Sequence, residues 1–249
     1  MLIPMALLLS SARLEAQVTS PTQPLPVLVL DSQPPFERPN GALLRPGTLV
    51  YTLALTKPNG ETAPLGTRTV VVSESNLGGN PGWLIAEERT GTVVRSMDSV
   101  YVTRSDLRPA RWNGAIGRAQ IGASFTTDSV FGAAQSYQGR ASFSAAVPAN
   151  VLLSAGMTER VLELLPIRDG YRAAASLLLI DGAAPRIIPA EIAVNGSEAV
   201  SIGGRSVDAW RVTLRWGVKE ERLWISRDEM RVVKTEQVVP EGVFVATLK

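Results

Sequence analysis

The sequence predicts a mainly β fold, an open or incomplete antiparallel β-barrel curled around one central helical segment. Three observations support this fold class. Short segments of alternating apolar and polar residues recur along the chain, Gly-rich turns separate them, and a single stretch has helical periodicity. The 249 residues are 45% hydrophobic and 19% charged, which is the balance of an ordinary globular protein. Regular short strands with few helices favour a meander or barrel over a parallel α/β sheet.

The first residues have the pattern of a secretory signal peptide. Residues 1–16 contain an apolar core that is too short to span a membrane, followed by small residues and a cleavage position after Ala16. Two features oppose this interpretation: no Lys or Arg precedes the core, and Leu14 stands three residues before the cut, where a small residue is usual. We expect a Pro-rich leader over residues 17–46 and a single β-barrel-like domain over residues 47–249. No later stretch approaches the roughly 18 apolar residues of a transmembrane segment.

The strand pattern is strongest in two places. Residues 48–56 alternate and end at a Lys-Pro-Asn-Gly turn, whose Gly60 can take positive φ. Residues 210–216 place Trp210 and Trp216 on an apolar face and three polar side chains on the other. A turn then leads into residues 221–226, so the sequence predicts a half-buried antiparallel hairpin here.

One segment breaks the strand pattern. Asn150 can cap a helix that runs to about Leu165, and both Leu162 and Leu165 lie on its apolar face. Pro166 would end this helix. Gly156 weakens its middle, so two short helices are an alternative.

Two stretches of the chain resemble each other. Residues 102–109 and 225–232 both read as a strand, a polar turn that contains Asp, and an Arg that leads into the next strand. An Asp at such a turn can bond to its own backbone two residues further on. A common hairpin solution used twice and the duplication of a half-domain are both compatible with this pattern.

The second of these stretches carries a family resemblance. Leu223-Trp-Ile-Ser-Arg-Asp228, followed by Arg231-Val-Val233, resembles bacterial periplasmic proteins of the lipoprotein-carrier type, the Lol carriers and domains that share their fold. The layout of residues 47–248 is also similar to an uncharacterised family of exported bacterial proteins. The resemblance implies an incomplete antiparallel barrel around a helix, with acyl chains held in its concave apolar face. No binding residue of these families maps onto a position of this chain.

The chain has no His and no Cys, which limits its chemistry. A Ser-His-Asp triad, a thiolate nucleophile, a disulfide and a thiolate metal site are all excluded. We expect no metal and no cofactor, because neither a calcium-loop pattern nor a Gly-rich phosphate loop is present. We also expect no nucleic-acid partner, since the 25 Lys and Arg are spread along the chain against 23 Asp and Glu.

Carboxylates are the remaining reactive groups. The pairs Glu87-Glu88 and Glu220-Glu221 point their side chains to opposite faces of a strand or turn, and we expect them to be solvated edge charges. A carboxylate-dependent hydrolase stays chemically open, because it needs neither His nor Cys.

These observations favour a non-catalytic exported protein, in the bacterial periplasm or secreted. We expect it to bind a hydrophobic ligand such as a lipid or an acyl chain in the concave face of a half-barrel. The face assignments make Leu162, Leu165 and Trp224 the candidate ligand-binding residues. The alternative is an envelope protein–protein interaction module with a solid core, and a hydrolase is the third and least favoured hypothesis.

Overall fold

Most of the residues that the structure describes lie in β-strands. The structure, a computed structural model, describes residues 33–91, 95–137, 139–153, 156–180 and 185–249, so the predicted signal peptide and residues 17–32 of the predicted leader lie outside the described residues. The strands are β1 (Gly47–Thr56), β2 (Thr62–Leu77), β3 (Asn80–Gly91), β4 (Ser96–Thr103), β5 (Pro109–Ile116), β6 (Ala119–Phe125), β7 (Ser129–Ser136), β8 (Gly139–Ala146), β9 (Val151–Leu153), β10 (Arg172–Ile180), β11 (Pro185–Ile202), β12 (Arg205–Trp216), β13 (Lys219–Ser226), β14 (Val232–Val239) and β15 (Gly242–Leu248). One α-helix, α1 (Met157–Glu163), lies between β9 and β10.

All these strands belong to one 15-stranded sheet. β1 and β15 are neighbours inside the sheet, and the chain moves outward from β1 to β8 at one edge. From β9 at the other edge it returns strand by strand to β15. The neighbouring strands pair antiparallel, apart from the parallel pair of β9 and β10. The mainly β prediction is confirmed, and the result is a large open sheet that is not closed into a barrel.

One face of the sheet carries the hydrophobic core. Successive side chains of a strand point to opposite faces, and the buried set on this side includes Tyr51, Leu53, Val70, Ile85 and Val100. The helix α1 lies on the same side, and all its residues are buried. We call this side the helix face and the opposite side the outer face.

Part of the predicted leader packs onto this core. Phe36 and Leu44 are buried in the same cluster as the sheet residues. The Phe36 amide donates to the carbonyl oxygen of Ala174 at 2.7 Å, and the Ala174 amide donates to that of Pro34 at 2.8 Å. The packed unit therefore includes residues ahead of Gly47, where we expected the globular part to begin.

The helix is shorter than the sequence predicts. It begins at Met157, with Gly156 at its N-cap, so the prediction of a helix capped by Asn150 was wrong. Residues 151–153 form β9 instead, and all three of their side chains are buried. Successive apolar side chains suit a strand that is covered on both sides, and this strand pairs with residues 176–178 of β10.

The predicted hairpin of β12 and β13 is confirmed. Trp216 pairs with Lys219 across the turn, and the Trp216 ring is buried in the core. Trp210 is half-buried, and the guanidinium of Arg227 lies 4.7 Å from its ring centroid.

The two similar sequence stretches form turns with the same backbone. Leu107 and Met230 occupy equivalent positions and have φ angles of 51° and 49°, which makes them the two non-glycine residues with positive φ in the described part of the chain. The Leu107 amide donates to the carbonyl oxygen of Thr103 at 3.2 Å, and the Met230 amide donates to that of Ser226 at 2.9 Å. The register of each hairpin also shifts just before the turn. Duplication and a shared turn geometry both stay open.

The left-handed conformation at Leu107 predicts an unusual order of stability. Leu107→Ala and Leu107→Gly both remove a fully buried side chain, at a cost of about 2–5 kcal/mol. Because the left-handed backbone strains alanine but not glycine, the glycine variant should be the more stable of the two by about 1 kcal/mol. Denaturant unfolding of both variants measures the difference.

Leu177, buried in the strand β10, is the control for this comparison. Its backbone has no positive φ, so the alanine variant should there be the more stable one. The same order at Leu107 as at Leu177 would contradict the assignment of strain to the turn.

Candidate functional site

The space between α1 and the sheet is filled by side chains of the protein itself. Leu162 is 0% exposed and Leu165 is 3% exposed, and both belong to the main hydrophobic cluster. Met157 and Val161 of the same helix are also completely buried. These predicted ligand-binding leucines are therefore core residues that pack α1 onto the sheet.

Trp224, the third predicted binding residue, lies on the other side of the sheet. Its ring is buried in a small separate cluster with Ile202, Ala209 and Val233. Its Nε1 donates to Oε1 of Glu198, and Nζ of Lys234 lies 4.5 Å from the ring centroid. The structure does not bring Trp224 together with the two leucines.

Ion pairs between charged side chains connect α1 to the sheet. Arg68 of β2 donates to Oε1 of Glu159 at 2.6 Å, and its Nε lies 2.9 Å from Oε2 of Glu87. These three side chains are each less than a tenth exposed. Such a buried group costs little free energy only when its charges are paired, as they are here.

A second set of contacts holds the end of the helix. Nη2 of Arg160 lies 3.0 Å from Oε1 of Glu163 and 3.4 Å from the hydroxyl of Tyr51. Oε1 of Glu163 also accepts a hydrogen bond from the amide of Val232, and the hydroxyl of Tyr51 donates to the carbonyl oxygen of Val232 at 2.9 Å. We call Tyr51, Arg68, Glu87, Glu159, Arg160 and Glu163 the buried ionic cluster.

The carboxylates of this cluster differ in acidity. Burial raises the pKa of Glu163 to about 7, because Arg160 and the Val232 amide only partly offset the loss of water. Burial opposes ionisation at Glu159 as well, but Arg68 and Arg160 outweigh it and hold the pKa of that carboxyl below its usual range. Glu159 is thus a permanent partner of Arg68, whereas Glu163 exchanges a proton near neutral pH.

Glu221 of β13 points toward the same cluster. Burial and, secondly, the charge of Glu159 raise the pKa of Glu221 to about 7. Its side chain retains some contact with solvent.

The expectation that the two acidic pairs are solvated was wrong for Glu87. Alternation does separate Glu87 from Glu88, but Glu87 is 4% exposed and is paired with Arg68 and Arg89. Glu88, on the outer face, pairs with Arg95 at 2.6 Å. Of the two arginines that neutralise Glu87, Arg68 lies on the neighbouring strand β2 and Arg89 lies two residues further along β3, so the Glu87-Glu88 pair by itself did not indicate burial.

A pocket of about 390 Å³ opens beside the end of α1. Its walls are residues 43–49 of the packed leader and β1, and residues 228–231 of the turn before β14. Leu165, Arg160 and Glu163 line it from the helix side. This pocket is small and bordered by paired charges.

A larger pocket of about 1070 Å³ lies on the outer face of β2 to β8. Its lining contains two rows of residues that run across the strands. Each row has one residue from each of the seven strands, and each residue is paired with the next one across the sheet. The first row is Val71, Ala86, Ser99, Asn113, Gly122, Ala133 and Ser142, and the second is Thr69, Glu88, Met97, Ala115, Gln120, Gln135 and Arg140. We call this the cross-strand pocket. Strands lie about 4.8 Å apart, so six strand-to-strand steps give it a length of about 29 Å.

Small side chains form much of the pocket floor. Ala86, Ser99, Gly122 and Ala133 occupy four of the seven positions of the first row, with Asn113 between Ser99 and Gly122, so the strands leave an open channel where larger residues would fill it. A side chain built on Gly122 would meet only Oδ1 of Asn113, at 3.6 Å. The volume of the pocket is thus set by residue size along one row.

Large apolar side chains border this floor and face solvent. Val71, Met97 and Phe131 line the pocket and are 38%, 49% and 49% exposed. Exposed apolar groups that gather in one concave surface are typical of a ligand or partner site.

The sequence pattern did not predict this pocket. The alternation of each strand shows which residues share a face, but the two rows exist only once the register of seven consecutive strands is known. The signal that could have suggested it is the run of small residues at outward positions of β5 to β8, including Ala115, Gly122 and Ala133.

The fold is shared with a protein of known structure that belongs to a domain of unknown function. The chain is similar to the β-barrel-like protein of the domain of unknown function DUF1849 from Brucella abortus, with a TM-score of 0.51 and 9% sequence identity over 83% of this chain and 96% of that one. It is also similar to the hypothetical lipoprotein YmcC from Escherichia coli (K12), with a TM-score of 0.34 and 13% identity over 83% of this chain and 88% of the other. The first likeness shows a common β-barrel-like fold, while a lipoprotein-carrier fold is not confirmed.

No family model matches the chain, and neither does any curated protein. Across the described ranges, no helix has the length and apolar character needed to cross a bilayer.

The pKa of Glu163 predicts a pH dependence of stability. The folded protein holds this proton up to about pH 7, whereas the unfolded chain releases it near pH 4.5, so the free energy of unfolding should fall as the pH rises from 4.5 to 7. The contribution is about 3 kcal/mol at most, and Glu221 should add to it in the same direction. Glu163→Gln should flatten this slope in denaturant unfolding curves taken at several pH values.

Glu241→Gln, at an exposed turn, is the control for the loss of one carboxylate. A slope that is unchanged by Glu163→Gln would show that this carboxyl ionises in the folded protein as it does in the unfolded chain.

The buried ionic cluster also predicts a difference between two arginines that both contact Glu87. Arg68→Met leaves Glu87 and Glu159 buried with too few partners, so it should destabilise the protein by about 3–5 kcal/mol. Arg89→Met removes a contact whose arginine is 43% exposed, and the loss should be under about 1 kcal/mol. Equal losses in thermal or denaturant unfolding would contradict the structural role of the cluster.

Proposed function

We propose that this is a non-catalytic exported protein of the bacterial envelope that binds a hydrophobic ligand, such as a lipid or an acyl chain, in the cross-strand pocket. The observation that carries the proposal is a channel of about 1070 Å³ along which Val71, Met97 and Phe131 are exposed. The predicted signal peptide supports the envelope as its location.

The size and shape of the pocket support an elongated ligand. Ligand pockets in proteins typically measure about 300–1,000 Å³, so this one is large enough for a drug-sized or lipid-sized molecule. A chain that lies along the two rows would cover apolar side chains that are otherwise in water, and each square ångström removed from water contributes about 25 cal/mol.

The helix face is a poorer site for such a ligand. Leu162 and Leu165 already fill the space above the sheet, and α1 is held in place by the buried ionic cluster. An acyl chain could enter there only if the helix left its position and exposed paired charges to an apolar ligand. We therefore place the ligand on the outer face and not beside the residues that the sequence suggested.

The filled interior also favours the alternative function. A solid core behind an exposed apolar surface is what an envelope protein–protein interaction module would need. In that case the cross-strand pocket binds a protein segment, and small apolar molecules do not bind there.

Blocking the pocket tests the proposal. Ala133 lies half-buried in the first row, so Ala133→Phe should place a ring in the channel without disturbing the core. Binding of N-phenyl-1-naphthylamine, a neutral probe that fluoresces in apolar sites, should weaken about tenfold or more in this variant, because the channel loses depth along its centre.

Ala199→Phe makes the same substitution at an exposed position of β11, outside the cross-strand pocket, and it should leave probe binding unchanged. Circular dichroism and thermal unfolding check that both variants fold. No saturable binding by the unmodified protein would overturn the ligand-binding proposal and favour the interaction module.

A further inference from the structure

The two ends of the cross-strand pocket differ in charge. Glu88, on β3, is neutralised by Arg95 at 2.6 Å. Arg140, on the edge strand β8, lines the opposite end and is exposed. Within the residues that the structure describes, no hydrogen bond or ion pair involves the side chain of Arg140. Arg140 is therefore a cation without an ion-pair partner among the described residues, at the β8 end of the pocket.

Two amides lie directly beside this charge. Gln135 is paired laterally with Arg140, and Gln120 is paired with Gln135, so the three side chains follow one another along the second row. Both glutamines are exposed, and neither side chain contacts a partner in the described part of the chain. Two amides and a guanidinium together provide several N–H donors on one side of the pocket mouth, which is the chemistry that binds an oxyanion.

The first row offers an uncharged path away from these donors. From β7 toward β2 it continues through Ala133, Gly122, Asn113, Ser99 and Ala86 to Val71, and Met97 borders it from the second row. A ligand with its anion at β8 would lay a chain across several strands along this path. A compact anion would leave most of the pocket empty, and a purely apolar chain would make no hydrogen bond to the donors.

We propose that the cross-strand pocket binds a single-chain amphiphile with an anionic head, and that Arg140, with Gln120 and Gln135, binds the head. This inference rests on the proposed function, since it names the ligand class of the same pocket. The head is a carboxylate, as in a free fatty acid, or a phosphate ester, as in a lysophospholipid. Both present two or more oxygens to a guanidinium.

Displacement of N-phenyl-1-naphthylamine compares ligands that differ only in the head. The full chain, loaded with this probe, is titrated with dodecanoate, dodecyl phosphate, dodecan-1-ol and, as a head without a chain, inorganic phosphate. Both anions should displace the probe at concentrations about tenfold lower than the alcohol, because the shared chain gives equal apolar contacts and only the anions bind Arg140. Whichever anion is the stronger identifies the source of the head.

Arg140→Gln should weaken displacement by the anions about tenfold and leave both the alcohol and the probe unaffected. The matched control is Arg111→Gln on β5, which removes an exposed arginine of the same face that does not line the pocket. Raising the salt concentration should reduce the advantage of the anions, since the site is exposed.

The outcomes separate the two proposals. Equal displacement by dodecan-1-ol and dodecanoate, with no effect of Arg140→Gln, would overturn the anionic-head assignment while the hydrophobic site stands. Displacement by inorganic phosphate alone would show an anion site without a chain and would also overturn the assignment. Failure of the probe itself to bind would remove the proposed function, and the anionic-head assignment with it.

Discussion

The contact between Arg68 and Glu159 holds α1 on the helix face of the sheet, and the position of α1 decides whether that face has space for a ligand. It joins the middle of the sheet to a helix of seven residues, which is too short to be stable alone. Glu87 completes the neutralisation of Arg68, and Arg160 and Glu163 fix the helix end on Tyr51 and the backbone of Val232. With α1 held in this way, its apolar side chains fill the helix face, and a hydrophobic ligand has no space there.

The outer face of the same strands carries the proposed binding surface. The buried apolar side chains of β2 to β8, such as Val70, Ile85 and Val100, point to the helix face, so the outward positions are not needed for core packing. Small residues along one row and exposed apolar residues beside it produce the cross-strand pocket. The sheet thus separates stability, on the helix face, from the proposed binding surface on the outer face, and a substitution in one should have little effect on the other.

Local pattern was enough to predict the fold class but not the site. The alternation around Trp216 predicted its hairpin correctly, and the similar turns at Leu107 and Met230 have one geometry, as their sequences suggested. The predicted helix was too long because the apolar residues 151–153 fit a helix as well as a strand. Only their pairing with β10 makes them a strand. The burial of Glu87 depends on Arg68, which is distant in sequence, and the pocket depends on the register of seven strands. Both are properties of the assembled sheet.

Photo-crosslinking with a fatty acid that carries a diazirine along its chain tests most directly whether the ligand binds on the outer face. Irradiation of the complex, followed by peptide mass spectrometry, locates the residues that contact the chain. We expect saturable adducts in β4 to β7, at side chains such as Met97 and Phe131, and competition by unlabelled fatty acid. Adducts at Leu162 of α1, or at Leu165 just after it, would show that the helix leaves the sheet to admit the ligand and would contradict our account.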